Sequence, residues 1–218
     1  CFISSIKNNT LILIDNLYLF MMSKIQKTDH FYLIDGSGYI FRAYYALPRM
    51  NRSDGTPVNA VFGFCNMLLK LLEDTQRDNG GDVGFAIIFD AARKTFRNEI
   101  YPNYKANRSE PPDDLIPQFE IIKNMPEAFN IASIQYPGFE ADDLIASYAK
   151  LAHEKGIKTT VVSSDKDLMQ LLNNNIKIFD PIKRKELGKK EVFEKFGVEV
   201  EKVIDVQALA GDQSDNVP

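Results

Sequence analysis

Val83-Gly-Phe-Ala-Ile-Ile-Phe-Asp90 is an unbroken apolar run closed by a single acid. A strand that is apolar at every position, instead of alternating, suits burial on both faces, as in a parallel sheet covered by helices. Three more stretches repeat the design. Phe31-Tyr-Leu-Ile34 ends at Asp35, Ile131-Ala-Ser-Ile-Gln135 runs through Tyr136-Pro-Gly138 into Glu140-Ala-Asp-Asp143, and Thr159-Thr-Val-Val162 runs through Ser163-Ser164 into Asp165-Lys-Asp167. Ile176 to Phe179 reads as a further strand. Between the strands lie helical spacings: Ala60 to Leu72, with Val61, Phe64, Leu68, Leu69 and Leu72 on one face, then Leu144 to Ala152, and a helix starting at Asp165 and running to Leu172. Shorter helical patterns cover Glu191 to Phe196 and Glu201 to Leu209, with Gly197 as the stop between them. Strands alternating with helices predict an α/β domain with a mostly parallel central sheet flanked by helices.

Composition allows one domain with its own core: 218 residues, 44% hydrophobic and 26% charged. The net charge of -4 excludes a globally basic nucleic-acid binder, so any such contact must come from local charge. Cys1 and Cys65 lie too far apart in sequence to suggest a disulfide framework or a metal-ligand pair, and a reducing cytoplasm is the expectation. Leu11 to Met22 is mostly apolar but contains Asp15 and Asn16 and is too short to span a bilayer, so no membrane is expected as a partner. Lys7 precedes that stretch, yet no small-x-small cleavage site follows it, which argues against a signal peptide. The first methionines are Met21 and Met22. Residues 1–28 therefore read as an upstream or disordered extension, and 29–218 as the folded domain, beginning near His30.

Ligand sites in open parallel sheets form outside the carboxyl ends of the strands. Asp35, Asp90, Glu140, Asp142, Asp143, Asp165 and Asp167 all fall at such ends, and Gly211-Asp-Gln-Ser-Asp215 adds Asp212 and Asp215. Singly, each could be a helix cap or a turn residue. Together, nine carboxylates at one rim would repel one another and raise each other's pKa unless cations neutralised them. Mg²⁺ or Mn²⁺ suits oxygen ligands, and two such ions can activate water and stabilise a leaving oxygen in phosphodiester hydrolysis.

Directly after Asp90 the charge inverts. Arg93, Lys94, Arg97, Lys105 and Arg108 fall within a stretch whose one acid is Glu99, and Tyr101 and Tyr104 interleave with them. A charge run alone is commonly a solvated surface. Cations mixed with aromatics beside an acidic rim are also what a single strand of nucleic acid requires, for backbone charge and base stacking.

The ordered set Leu33-Ile-Asp-Gly-Ser37, Phe41-Arg-Ala43, Phe89-Asp90, Tyr101-Pro-x-Tyr-Lys-Ala-x-Arg108, Glu140-Ala-Asp-Asp143, Ser164-Asp-Lys-Asp167 and Gly211-Asp-Gln-Ser-Asp-Asn216 resembles the 5′-nuclease domain of bacterial DNA polymerase I, from about Phe31 to Pro218. The resemblance implies a PIN-like 5′-nuclease fold over 29–218, with a helical arch or gateway admitting a single-stranded 5′ end. It implies two metal ions: Asp35, Asp90, Glu140 and Asp142 around one, and Asp143, Asp165, Asp167 and Asp212 around the other, supported by Asp215. Lys105 and Arg108 would hold the scissile phosphate, Tyr104 would stack on a nucleotide, Arg42 would contact phosphate near the reacting end, and Arg93 and Arg97 would bind the substrate. The expected activity is Mg²⁺- or Mn²⁺-dependent cleavage at the 5′ end of nicked, gapped or flapped DNA by a cytoplasmic monomer, in primer removal and repair. The family continues past Asn216-Val-Pro218 into a duplex-gripping element, so a truncated chain is the expectation. Two rivals remain, a PIN-like ribonuclease and a DNA-binding remnant without turnover.

Overall fold

β1 (His30–Asp35), β2 (Val83–Ile88), β3 (Ala132–Ile134), β4 (Lys158–Val162), β5 (Ile176–Asp180) and β6 (Lys185–Leu187) form one sheet in the spatial order β3-β2-β1-β4-β5-β6. Every neighbouring pair is parallel except the β5–β6 hairpin. This computed structural model describes residues 28–79 and 83–218, so the expectations for residues 1–27, including the apolar stretch from Leu11, lie outside the described residues.

In chain order the helices are α1 (Gly36–Ala46), α2 (Asn59–Asn79), α3 (Phe96–Ile100), α4 (Ile116–Ala128), α5 (Ala141–Glu154), α6 (Lys189–Phe196) and α7 (Val203–Ala210), with 3-10 turns at Asp167–Leu171, Val200–Lys202 and Gln213–Asp215. Helices cover both faces of the sheet, and β2 explains why its sequence is apolar throughout. Ala86 and Ile88 enter one core with Leu33, Ile145, Val161 and Ile178, while Ile87 and Phe89 enter the other with Ile34, Phe64, Leu68 and Ile122. No helix among the described residues is long and apolar enough to cross a membrane.

Register fixes where the acids emerge. Ile34 lies opposite Ile87 and Val162, and Ile88 opposite Ile134, so β1, β2, β3 and β4 finish at one level. Asp35, Asp90, Glu140 and Asp165 therefore leave the sheet at a single edge.

Two helices were not legible. α1 begins Gly-Ser-Gly, and glycine disfavours helix. Gly36 is nevertheless required, because a Cβ there would lie 2.4 Å from the Phe89 ring, and Asp35 starts the helix by accepting from the Gly38 amide at 2.8 Å. α4 is masked by prolines, but Pro117 occupies its first turn, where no amide donor is needed. The side chain of Gln118, fully buried, then ties α4 to α2: its Oε1 accepts from the Ala60 and Val61 amides at 2.8 and 3.2 Å, and its Nε2 donates to Asn59 Oδ1 at 3.0 Å.

The helix expected from Asp165 to Leu172 is corrected to the five-residue 3-10 turn Asp167–Leu171. Asp165 folds its own side chain back to accept from the Asp167 amide at 2.8 Å, a local bond that competes with helical pairing. Helix from Glu201 to Leu209 likewise divides into the turn Val200–Lys202 and α7. The stop at Gly197 holds, with the glycine in the left-handed region at φ 72°. Where a helical arch was expected, residues 91–115 contain α3 followed by turns.

Candidate active site

Asp35 passes directly from β1 into α1. One of its oxygens accepts from the Gly38 amide and the other from Ser163 Oγ, both at 2.8 Å. Asp90, two residues beyond β2, accepts from the Ala141 amide at 2.8 Å, which fixes it against the start of α5. Its main chain is pinned twice more: its amide donates to Ser37 Oγ at 3.0 Å, and its carbonyl accepts from Lys123 Nζ at 2.7 Å.

Burial pushes the Asp35 carboxyl up to about 6, with the charges of Asp90 and Asp165 adding to it against the two hydrogen bonds. Asp142 is raised well above the usual carboxylate range, by burial first and then by Asp35, Asp165, Asp90 and Glu140. Five acids therefore share one field. This is the donor chemistry that a hard divalent cation relieves. Among the described residues no three acidic, His or Cys side chains are placed to hold a metal ion between them, but a cation that keeps several of its waters needs fewer protein ligands.

A second group forms around the 3-10 turn. Asp167 is raised by burial and by Asp165, and Gln207 Nε2 donates to its Oδ1 at 2.5 Å. For Asp212, burial works against ionisation, but hydrogen bonds from Ser214 and the charge of Lys166, 3.5 Å away, hold it below the ordinary value.

The remaining acids face the basic segment. Arg97 grips Asp143 with two bonds of 2.7 Å, and Asp143 also accepts from the Glu140 amide. Lys105 Nζ donates to Glu140 at 2.8 Å, and Arg108 pairs with Asp215. Lys105 is held in the left-handed region at φ 55°, unusual for a side chain with a Cβ, while its amide donates to the Asp215 carbonyl at 2.9 Å.

Tyr104 is placed differently from an open stacking platform. The residue is only 8% exposed, and its hydroxyl lies 3.0 Å from both Glu140 and Asp215. Two buried or half-buried acids hold that hydroxyl, because the segment carrying it folds onto the rim instead of standing clear of it. Arg93 turns away, donating to the carbonyls of Arg108 and Ser109 and pairing with Glu110. Arg42 is exposed on α1, about two turns beyond Asp35.

The basic segment and the rim enclose a cavity of about 530 Å³. Arg97, Tyr104, Glu140, Asp142, Asp143, Asp167, Asp212 and Asp215 line one part of it; Ile100, Leu168 and Leu171 supply an apolar part. Three supporting groups had no signal in the sequence: Ser163, bridging β4 to Asp35; Lys123, reaching from α4 to Asp90; and Gln207, reaching from α7 to Asp167.

A family model for the 5′-3′ exonuclease N-terminal, resolvase-like domain matches residues 30–197. DNA polymerase I of Rhizobium leguminosarum is 52% identical over 199 residues, covering 90% of this chain and 20% of the polymerase. A 5′-3′ exonuclease of Aquifex aeolicus is 40% identical over 187 residues, covering 86% of this chain and 63% of that protein. The chain thus spans about a fifth of the polymerase and less than two thirds of the exonuclease. Among solved structures, T5 5′-exonuclease with divalent zinc ions bound superposes with a TM-score of 0.68 at 24% identity, covering 87% of this chain and 69% of that one. That likeness carries the fold, the mostly parallel α/β sheet.

Proposed function

Because this chain belongs to the 5′-3′ exonuclease family with the N-terminal resolvase-like domain, we propose that its acid-rimmed cavity hydrolyses phosphodiesters at the 5′ end of nicked, gapped or flapped DNA, as in primer removal and repair. The observation that carries this reading is the meeting of two opposed sets of groups at one rim. Buried Asp142 shares its field with Glu140, and Glu140 and Asp215 in turn hold Lys105 and Arg108, which suit a phosphate.

Asp35, Asp90, Glu140 and Asp142 would hold one Mg²⁺ or Mn²⁺ ion, and Asp143, Asp165, Asp167 and Asp212 a second, with Asp215 in support. When bound, such ions supply a water nucleophile at neutral pH and charge stabilisation at the leaving oxygen. The protein's own part is orientation. Gly38 and Ser163 fix the two oxygens of Asp35, and Ala141 fixes Asp90. Lys105 and Arg108 exchange Glu140 and Asp215 for the scissile phosphate and stabilise its charge as it develops. Their present partners keep them within reach of the rim. The apolar part of the cavity limits water around the reacting bond.

The test compares a 5′-flap DNA with a single-stranded RNA of matching sequence, each with Mg²⁺, Mn²⁺ or chelator. Cleavage of the DNA near the junction, dependent on divalent ion, leaving a 5′-phosphate and lost on joint replacement of Asp142 and Asp143 by Ala, is the expected result. Preferential cleavage of the RNA would move the reading to a ribonuclease. Mn²⁺ binding with no cleavage of either would reduce the chain to a binding module.

A further inference from the structure

We propose that Gln207 is a positioning residue for the acidic rim, holding Asp167 in the orientation a divalent cation requires; this rests on the metal-centre reading above. Gln207 lies on α7, forty residues along the chain from Asp167, and lines the same cavity. Its Nε2 donates to Asp167 Oδ1 at 2.5 Å. Asp167 is the first residue of its 3-10 turn, where Gln170 Nε2 also grips its main-chain carbonyl at 2.7 Å. Two amides from different elements thus fix one aspartate, one by the side chain and one by the backbone.

The contact does not stop there. The Asp167 amide donates to Asp165 Oδ1 at 2.8 Å, the Asp165 amide donates to Ser163 Oγ at 3.0 Å, and Ser163 Oγ donates to Asp35 Oδ2 at 2.8 Å. An unbroken string of hydrogen bonds therefore runs from α7 to the end of β1 and passes through three carboxylates of the rim.

The chemistry of the donor is the second part of the argument. Asp143 is held by a guanidinium, which neutralises the charge it orients. Asp167 is held by a neutral amide, which fixes the carboxylate and leaves its negative charge available to a cation. Partners that orient a ligand without competing for the metal commonly contribute 10- to 100-fold to metal affinity.

Calorimetry of Mn²⁺ binding without DNA tests the proposal. Gln207→Met keeps the length of the side chain and removes the donor. Gln207→Ala, the best helix former, is the second variant at this half-buried site. Both should bind Mn²⁺ about 10- to 100-fold more weakly with melting temperatures close to that of the unaltered chain. A purely structural glutamine would instead lower the melting temperature and leave affinity in place. Asp167→Asn should also weaken binding, and Gln207→Met made on top of it should add less than about twofold, since the two act through one carboxylate. Undiminished affinity in both Gln207 variants, with affinity lost in Asp167→Asn, would overturn this inference alone. Undiminished affinity in Asp167→Asn would overturn the metal role of Asp167, and the inference with it.

Discussion

Asp35→Asn should stabilise the metal-free protein at pH 8 and change it little at pH 4. The carboxyl moves from the ordinary 3.8 to about 6 in the folded chain, burial being the main cause. The folded state therefore keeps its proton where the unfolded chain has lost it. Its favourable contribution is complete below the unfolded value and disappears as pH rises through the folded one. Over that window the shift amounts to about 3 kcal/mol at most, at roughly 1.4 kcal/mol per pH unit. Asn can still accept from the Gly38 amide, and Ser163 Oγ can accept a bond in place of donating one, so the pH-independent cost should be small. Urea unfolding in chelator, from pH 4 to 8, would give a stability difference between variant and unaltered chain that grows by about 2 to 3 kcal/mol, most of it between pH 4 and 6.5. Saturating Mn²⁺ should reverse the order at pH 8, because a cation stabilises the form that binds it. Parallel pH profiles for the two proteins in chelator would refute the reasoning, for then Asp35 would titrate as a solvated acid.

Arg97→Met should cost about 2 to 4 kcal/mol in urea unfolding, because it strands the carboxylate of a largely buried fork; the side chains of Arg97 and Asp143 are only 19% and 12% exposed. A loss under about 0.5 kcal/mol would class the fork with screened surface pairs. Lys105→Ala should lower flap cleavage about 10²- to 10³-fold, with Mn²⁺ affinity much less affected, since it removes a contact to charge that develops during the reaction. A rate effect below about threefold would return Lys105 to a surface role.

The sheet and most of its acids could be read directly, for a physical reason. Strands buried on both faces are apolar at every position, and the residue that ends each of them stands out. α1 and α4 could not, since Gly36 and Pro117 weigh against helix locally and are explained only by the Phe89 ring and by a first turn that needs no donor. The cations from Arg93 to Arg108 were legible as a charge run, but not their partners. Lys105 and Glu140 are 35 residues apart and Arg108 and Asp215 107 apart, and no spacing rule joins them. Tyr104 showed the same limit: its aromatic character was plain, whereas its burial depends on where Glu140 and Asp215 fold. Ser163, Lys123 and Gln207 act through single hydrogen bonds, which leave no periodic trace.

The sheet ends at both margins in strands of three residues, β3 and β6. A long, flat outer strand offers unpaired amides and carbonyls to any other chain that meets it. Here β6 carries Lys185 and Glu186 and turns back antiparallel on β5, with Lys177 and Glu186 paired across the hairpin at 2.8 Å. The longer strands β1, β2 and β4, which would recruit neighbours more readily, all lie inside. Aggregation by strand addition is thereby tied to global unfolding and not to fraying at the sheet's margins.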